Sequence, residues 1–219
     1  MKLCIYCAGG LGKEVFDIAS RVNNVKDRWD EIFFVDDTLG LGKKCYLGKL
    51  FTFDTVLSEF SVDDLEFIVA NGEPYVREKL YKKVKEYNFK IISLIDPLAS
   101  ISPTADIGDG LIAYPFSIIA SDASIGNNVL VNAGAIIGHD IVVGNNTVIS
   151  PQVCIGGGTK IGHNSYIGMG SKIKEQLVVG SSVIVSMSSA VHKDIPDGVI
   201  AMGNPARPMR RNEDNKIFK

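Results

Sequence analysis

Residues 101–191 read ISPTADIGDGLIAYPFSIIASDASIGNNVLVNAGAIIGHDIVVGNNTVISPQVCIGGGTKIGHNSYIGMGSKIKEQLVVGSSVIVSMSSAV. Taken six at a time from Ile101, the stops are Ile107, Ala113, Ile119, Ile125, Val131, Ile137, Val143, Ile149, Ile155, Ile161, Ile167, Ile173, Val179, Val185 and Val191. Every stop is aliphatic, and Ala113 alone is small. Gly follows the stop at 107, 125, 137, 143, 155, 161, 167 and 179. Neither the 3.6-residue period of a helix nor the 2-residue period of a strand demands a repeat of six. A hexad repeat is the mark of a β-helix, in which each hexad supplies one short strand and one turn. Three hexads close a triangular coil, so residues eighteen apart stack. The corners agree: Gly108-Asp109-Gly110, Gly126-Asn127-Asn128, Gly144-Asn145-Asn146, Gly162-His163-Asn164 and Gly180-Ser181-Ser182 fall in register. These are residue types that tolerate tight or left-handed turns.

Outward from this stretch, the chain has 219 residues, enough for one large or two modest domains. A formal net charge of −2 gives no footprint for nucleic acid or an anionic membrane. Charged residues concentrate before residue 97 and after 192. No signal peptide or spanning segment is visible, so the reading is a soluble cytoplasmic protein. Of the four cysteines, Cys4 and Cys7 form a C-x-x-C with no second cluster, and Cys45 and Cys154 stand apart. Free cysteines are usually buried, and a single pair is poor evidence for zinc.

The first 96 residues read as a small Rossmann-like α/β domain with a parallel sheet. Lys2 to Ala8 is a strand, Gly9-Gly10-Leu11-Gly12 a turn, and Lys13 onward a helix with Val15, Ile18 and Ala19 on one face. Further strands are expected at Ile32–Val35, Phe67–Ala70 and Ile91–Ile95, with a helix over Tyr75–Tyr87. The dinucleotide fingerprint G-x-G-x-x-G fails, because Val15 stands at its third small position. The domain is also too short for a full two-half dinucleotide fold, so NAD is not expected. A helix N-terminus after glycines still suits a phosphate. Asp96-Pro97 marks the join. The second domain, 97–219, carries the β-helix to about residue 192, and a polar tail from Arg210 to Lys219 is expected to be loosely ordered or docked on a neighbouring subunit.

Three histidines occur, at 139, 163 and 192. His163 sits in the corner ladder, equivalent to Asn127 and Asn145, and reads as a solvent-facing residue; His192 reads as a surface residue at the chain exit. His139 differs. Its column is Pro103, Ser121, His139, Gly157 and Glu175, Asp140 follows it, and the triple glycine Gly156-Gly157-Gly158 lies one coil above. Stacked strands are about 4.8 Å apart. A histidine beneath a glycine shelf therefore has room above its ring and a backbone N–H within reach. That unites a titratable base, a carboxylate to orient it and an oxyanion donor. The histidines are separated by 24 and 29 residues, so none share a column, and no metal site is expected.

The chain resembles the left-handed β-helix sugar acyltransferases of sialic acid and bacterial-sugar biosynthesis. It is similar in particular to the N-acetyltransferases that modify 4-amino sugars carried on UDP, GDP or dTDP. The marks are Cys7-Ala8-Gly9-Gly10-Leu11-Gly12-Lys13-Glu14-Val15 with Phe34-Val35-Asp36-Asp37; Val131 through Asp140; and Lys193-Asp194-Ile195-Pro196 with Gly203-Asn204-Pro205-Ala206-Arg207. The resemblance implies a left-handed parallel β-helix, a homotrimer, and acetyl-CoA in a groove between subunits. It implies His139 as general base, Asp140 as the group that holds its ring, and the Gly157 N–H as donor to the thioester carbonyl. Asn132 would face the sugar. The nucleotide would bind through Gly9, Gly10, Leu11, Lys13, Asp36 and Asp37, and acetyl-CoA would touch Gly157, Gly158, Met169, Met187, Gly203 and Pro205. Two positions depart from the pattern: Leu11 stands where the group often has His, and Val148 where some members carry a second active-site His.

The reaction this implies is acetyl transfer from acetyl-CoA to the amine of a nucleotide-linked 4-amino-4,6-dideoxy sugar, by direct attack. Cys154 shares its column with Ile136 and Lys172, away from His139 in register, and reads as structural rather than as an acyl carrier. Two other readings compete. One is O-acetylation of a sialic acid or another sugar hydroxyl. The other is a non-catalytic trimeric scaffold or nucleotide-sugar-binding subunit, against which stands the grouping of His139, Asp140 and the triple glycine. A NAD-linked oxidoreductase would be revived only by tight NAD binding.

Overall fold

The computed structural model describes residues 1–38, 48–214 and 216–217. Cys45 lies outside the described residues, as do Asn215, Phe218 and Lys219 of the tail. No helix among the described residues is long and apolar enough to cross a membrane.

The N-terminal part is a five-stranded parallel sheet. Strand β1 (Lys2–Tyr6) is followed by helix α1 (Gly10–Lys26), β2 (Glu31–Val35), β3 (Leu50–Phe51), α2 (Phe53–Glu59), β4 (Leu65–Val69), α3 (Pro74–Glu86) and β5 (Lys90–Ile91). The strand order is β3-β2-β1-β4-β5. Helix α1 buries Val15, Ile18, Ala19 and Val22, the apolar spacing visible in the sequence. Gly12 lets the helix lie close to the sheet, because a Cβ there would run into the Cys7 carbonyl. The segment Ile91–Ile95 is not one strand. It divides into the end of β5 and a separate strand β6 (Leu94–Ile95), which pairs with Ile112–Ala113 of the β-helix. The hexad rhythm thus begins one stop before Ile101, at Ile95.

The remainder is a left-handed β-helix of two-residue strands. Its three parallel sheets pair residues eighteen apart, as in Ile118↔Ile136, Ser124↔Val142 and Leu130↔Val148. The stops from Ala113 to Val191 are all buried. Each buried aliphatic side chain contributes roughly 1.5–3 kcal/mol relative to exposure. A second inward column, two residues before each stop, mixes apolar and small polar residues: Val129, Ala135, Ile141, Thr147, Val153, Thr159 and Ser165. Its hydroxyls are satisfied by carbonyls of the coil above, as from Thr147 Oγ1 to Gly162 O at 2.8 Å. The left-handed turn residue is the third after the stop, at Asn128, Asp140, Asn146 and Asn164 among others, rather than the glycine directly after it. That glycine serves close stacking: a Cβ on Gly138 would lie 2.9 Å from the nitrogen of Gly157.

One face of the prism is covered by the first domain. Ile112, Leu130 and Val148 pack in one cluster with Leu3, Ile5, Val15 and Ile18. At the join, Arg21 Nε donates to the buried Asp96 carboxylate at 2.7 Å. A polar seam continues along one corner. Arg77 Nη2 donates to Asn128 Oδ1, Asn128 Nδ2 to Asn146 Oδ1, Asn146 Nδ2 to Asn164 Oδ1, and Asn164 Nδ2 to Glu78 Oε2. The seam leaves α3 at one residue and returns to it at the next.

The β-helix ends in an antiparallel hairpin, Val199–Gly203 with Ala206–Arg211. The expectation of a loosely ordered tail is corrected for its described residues. Arg210 and Arg211 are in the last strand, Asn212 donates to Gly198 O and Ser182 O, and the Ile217 N–H meets the Glu73 carboxylate of the same chain.

A buried acid in the first domain makes stability depend on pH. Glu66 is 2 % exposed and accepts from Arg28, Trp29 and Lys90 at 2.7–2.9 Å. Burial alone would raise its pKa, but the hydrogen bonds from Arg28, Lys90 and Trp29 outweigh it and hold the carboxyl at about 2. A carboxylate with a depressed folded pKa stabilises the fold above its unfolded value of about 4.3 and loses that contribution as pH falls toward the folded one. The thermal midpoint is therefore expected to fall between about pH 4.5 and pH 2, more steeply in the wild type than in Glu66→Gln. Parallel curves for the two proteins would refute this.

Candidate active site

His139 and Asp140 follow the strand Ile136–Ile137 at a corner of the prism. Asp140 takes the left-handed turn position, φ 56°, which swings its carboxylate back toward the preceding side chain. Its Oδ2 lies 2.6 Å from His139 Nδ1. A carboxylate at Nδ1 fixes the proton there and leaves Nε2 with its lone pair free. Both side chains are exposed, His139 by 70 %.

Nε2 points up the column. A Cβ placed on Gly157 would lie 2.6 Å from His139 Nε2 and 2.7 Å from Cε1, so the ring occupies the space that any other residue at 157 would need. The Gly158 N–H is taken by His139 O at 2.9 Å. Among the described residues the Gly157 N–H has no acceptor, whereas the N–H groups of Asp109 and Asn127, at the matching position of the next corner, donate to the Asn side chain one coil above. The corner thus presents a basic nitrogen and a free backbone donor side by side.

A second feature lies in the first domain, at the carboxyl ends of β1, β2 and β4. A cleft of about 300 Å³ is lined by Tyr6, Cys7, Gly9, Gly10, Leu11, Asp36, Asp37, Thr38, Asn71 and Gly72, among others. This is the switch point of the sheet, where the chain leaves β1 to one side and β4 to the other, the usual ligand crevice of open α/β sheets. Five of the residues expected to meet a nucleotide line it: Gly9, Gly10, Leu11, Asp36 and Asp37. Lys13 is exposed on α1 and is not among the lining residues. The two acids are engaged by the protein itself. Asp36 accepts from Ala8 N–H, Thr38 N–H and Thr38 Oγ1, while Asp37 accepts from Tyr6 Oη, Lys83 Nζ and Phe53 N–H. They therefore hold the cleft's shape.

The other expected contacts lie on different edges. Asn132 stands one strand before His139, at the preceding corner, where its Oδ1 accepts from Ala133 N–H. Met169 and Met187 stack on that same corner, exposed by 53 % and 71 %, and Gly203 and Pro205 are at the turn of the terminal hairpin. Gly157 and Gly158 share the corner of His139. Within one chain these groups form no single groove. His163 is on the third corner, with Nδ1 2.9 Å from Ser181 Oγ. Cys154 pairs with Ile136 and Lys172 on an outward face, in the column given by its spacing. Cys4 is buried and Cys7 half-buried. Arg77, which ties the cleft to the β-helix, was not singled out by sequence; its partner Asn128 is 51 residues away and no local pattern connects them.

Such a prism of hexad strands behind a small parallel α/β domain is the architecture of the left-handed β-helix acetyltransferases. Two family models match the chain: the PglD N-terminal domain over residues 2–84 and the bacterial transferase hexapeptide (six repeats) over residues 122–157. Similar solved structures cover the whole architecture. The acetyltransferase domain of PglB from Neisseria gonorrhoeae FA1090, in complex with acetyl coenzyme A, has 30% sequence identity, covers 95% of this chain and 98% of that one, and has a TM-score of 0.86. PerB from Caulobacter crescentus, in complex with CoA and GDP-perosamine, has 25% identity over 95% of this chain and 97% of that one, with a TM-score of 0.86. WeeI from Acinetobacter baumannii AYE has 26% identity over 95% and 100%, with a TM-score of 0.87. The chain belongs to the sugar acetyltransferases of this type, the hexapeptide-repeat enzymes that carry a PglD-like first domain.

Proposed function

We propose that the protein transfers the acetyl group of acetyl-CoA to the amine of a nucleotide-linked 4-amino-4,6-dideoxy sugar. The observation that carries this is the corner at His139: a carboxylate-oriented imidazole whose Nε2 sits beside an unpaired backbone N–H. The amine nitrogen forms a bond to the thioester carbon while the carbonyl oxygen becomes negative. The Gly157 N–H donates to that oxygen, a contribution that costs typically 10²–10³-fold in rate when lost. His139 Nε2 takes the proton released by the nitrogen and returns one to the sulfur as the carbon–sulfur bond breaks. Asp140 keeps the ring in the tautomer that allows this.

The nucleotide occupies the cleft at the switch point, with its phosphates toward the N-terminus of α1, which opens at Gly10 and has no acidic residue in its first turn. Acetyl-CoA runs along the column above His139, and the reaction takes place in the cytoplasm. The separation of His139 from Asn132, Met169 and Met187 by a prism face supports a homotrimer in which a neighbour supplies the second wall. So does the apolar face beside the site, where Ile118 and Ile136 are 40 % and 42 % exposed and Phe116 adds 67 %. Light scattering is expected to give three times the 23.7 kDa chain mass. Ile136→Asp is expected to reduce this to the monomer and abolish turnover; a fully active monomer would remove the need for a neighbour.

The test of the reaction is CoA release from acetyl-CoA against UDP-, GDP- and dTDP-linked 4-amino sugars and their 4-hydroxy counterparts. Turnover confined to one amine supports the reading. Turnover on hydroxyls alone would make the enzyme an O-acetyltransferase, and failure to bind acetyl-CoA would leave a non-catalytic subunit.

A further inference from the structure

Arg77 is the largest fully buried side chain among the described residues. It makes five hydrogen bonds, all to uncharged oxygens. Nε and Nη2 donate to Asn128 O at 2.9 and 2.8 Å, Nη2 also to Asn128 Oδ1 at 2.9 Å, and Nη1 to Val69 O and Asn71 O at 2.9 and 3.0 Å. No carboxylate pairs with it among the described residues. Burial pulls its pKa down to about 9, which leaves it protonated at neutral pH.

Burying a guanidinium without an anion is costly, and a well-packed apolar side chain at such a place is often no less stable. A role in stability alone is therefore a poor account of it. What the arginine does supply is geometry, because its planar fork fixes several acceptors at once. Val69 ends β4, and Asn71 lies between Ala70 and Gly72; these three residues, 70 to 72, form the lip of the cleft. Asn128 is a corner of the β-helix and the first member of the asparagine seam. One cation thus ties the lip of the cleft to the domain that bears His139.

We infer that Arg77 is a positioning residue for the nucleotide sugar: it holds the lip of the cleft at a fixed place against the β-helix, so that nucleotide binding depends on it and acetyl-CoA binding does not. The inference rests on the cleft being the nucleotide site. None of the residues proposed to hold acetyl-CoA is an acceptor of Arg77. Lysine at 77 keeps the charge and the length but offers a rotating point donor in place of the fork.

The experiment uses the full-length protein, with Arg77→Lys and Asn128→Gly. The second variant removes one of the five hydrogen bonds, and glycine suits the φ of 57° at that position. Calorimetric titration with UDP, GDP and dTDP gives the nucleotide Kd, initial rates give both KM values, and melting reports folding. For Arg77→Lys we expect the Kd of the preferred nucleotide and the KM of its sugar conjugate to rise at least about tenfold, the loss of roughly one charge-assisted hydrogen bond. The KM for acetyl-CoA should stay within about twofold and kcat within about threefold, a split that general destabilisation does not produce. Asn128→Gly should move the same two constants in the same direction by a smaller factor, and it decides the matter if Arg77→Lys does not fold. Wild-type nucleotide affinity in a folded variant, or an equal rise in both KM values, overturns the inference and leaves the nucleotide site standing. A wild type that binds none of the three nucleotides overturns both.

Discussion

Alanine in place of His139 is expected to lower kcat by about 10²–10⁴-fold, the usual contribution of a positioned general base. The ring is 70 % exposed and has one hydrogen-bond partner, the Asp140 carboxylate. Its removal should therefore leave the melting temperature unchanged within experimental error, since exposed substitutions rarely shift stability by more than about 0.5 kcal/mol. Acetyl-CoA affinity should also persist, because the donor proposed for its carbonyl is the Gly157 backbone. The pH profile adds a second discriminator. An amine acceptor loses its proton unaided as pH rises, so the variant should regain part of its rate at high pH; a hydroxyl acceptor has no such recovery. A folded His139→Ala protein with wild-type turnover would dismiss this histidine as the base.

Gly157→Ala should cost nearly as much with His139 still in place. The added methyl would stand 2.6 Å from Nε2 and 2.7 Å from Cε1, contacts that no side chain sustains, and the imidazole is the part able to move. Turning it aside breaks the 2.6 Å contact with Asp140 or withdraws Nε2 from the reacting nitrogen. A displacement of about 1 Å at a reacting group can lower rates about 10²-fold. The backbone at 157 is not in the left-handed region, so the fold should tolerate alanine. Gly158→Ala is the informative contrast: φ is +69° there, and its nearest neighbour would be Gln176 Cγ at an ordinary 3.4 Å. That variant should lose stability, about 1–2 kcal/mol for a left-handed residue, while keeping most of its turnover. If the 157 variant melted early and the 158 variant lost its rate, the roles assigned to the two glycines would be reversed.

The β-helix was legible because its stops are chemically uniform and its period admits no other structure. The second inward column was not, since Ala, Val, Ser and Thr share that position and only their burial unites them. The corner triplets contain the left-handed residue, at Gly110, Asn128, Asn146, Asn164 and Ser182, without singling it out. The glycine directly after a stop is there for close stacking, and the left-handed turn two positions later falls on Gly, Asp, Asn, Gln, Ser and even Phe116. The stacking of His139 beneath Gly157 was open to arithmetic, because eighteen residues make one coil. The same arithmetic separates Met169 from Gly157 by two-thirds of a coil, so their placement on different edges could have been read and was not. The terminal hairpin was hidden by Pro205 and Pro208, which resemble the end of ordered structure. The commitment of Asp36 and Asp37 to protein partners depends on Tyr6, Ala8, Phe53 and Lys83, contacts up to 46 residues apart that no local pattern announces.

The asparagine seam imposes a rule on length. Arg77 and Glu78 are consecutive on α3, yet one meets Asn128 and the other Asn164, two coils further along. The helix therefore acts as a gauge of fixed span laid against the prism. Inserting or deleting an eighteen-residue coil between 128 and 164 would shift one mark by about 4.8 Å, leaving either a buried arginine or the last asparagine without its partner. Coils gained or lost beyond Asn164 leave the gauge itself intact, but they would carry the Ile217 N–H away from the Glu73 carboxylate, so the tail sets a second and weaker limit on the prism's height.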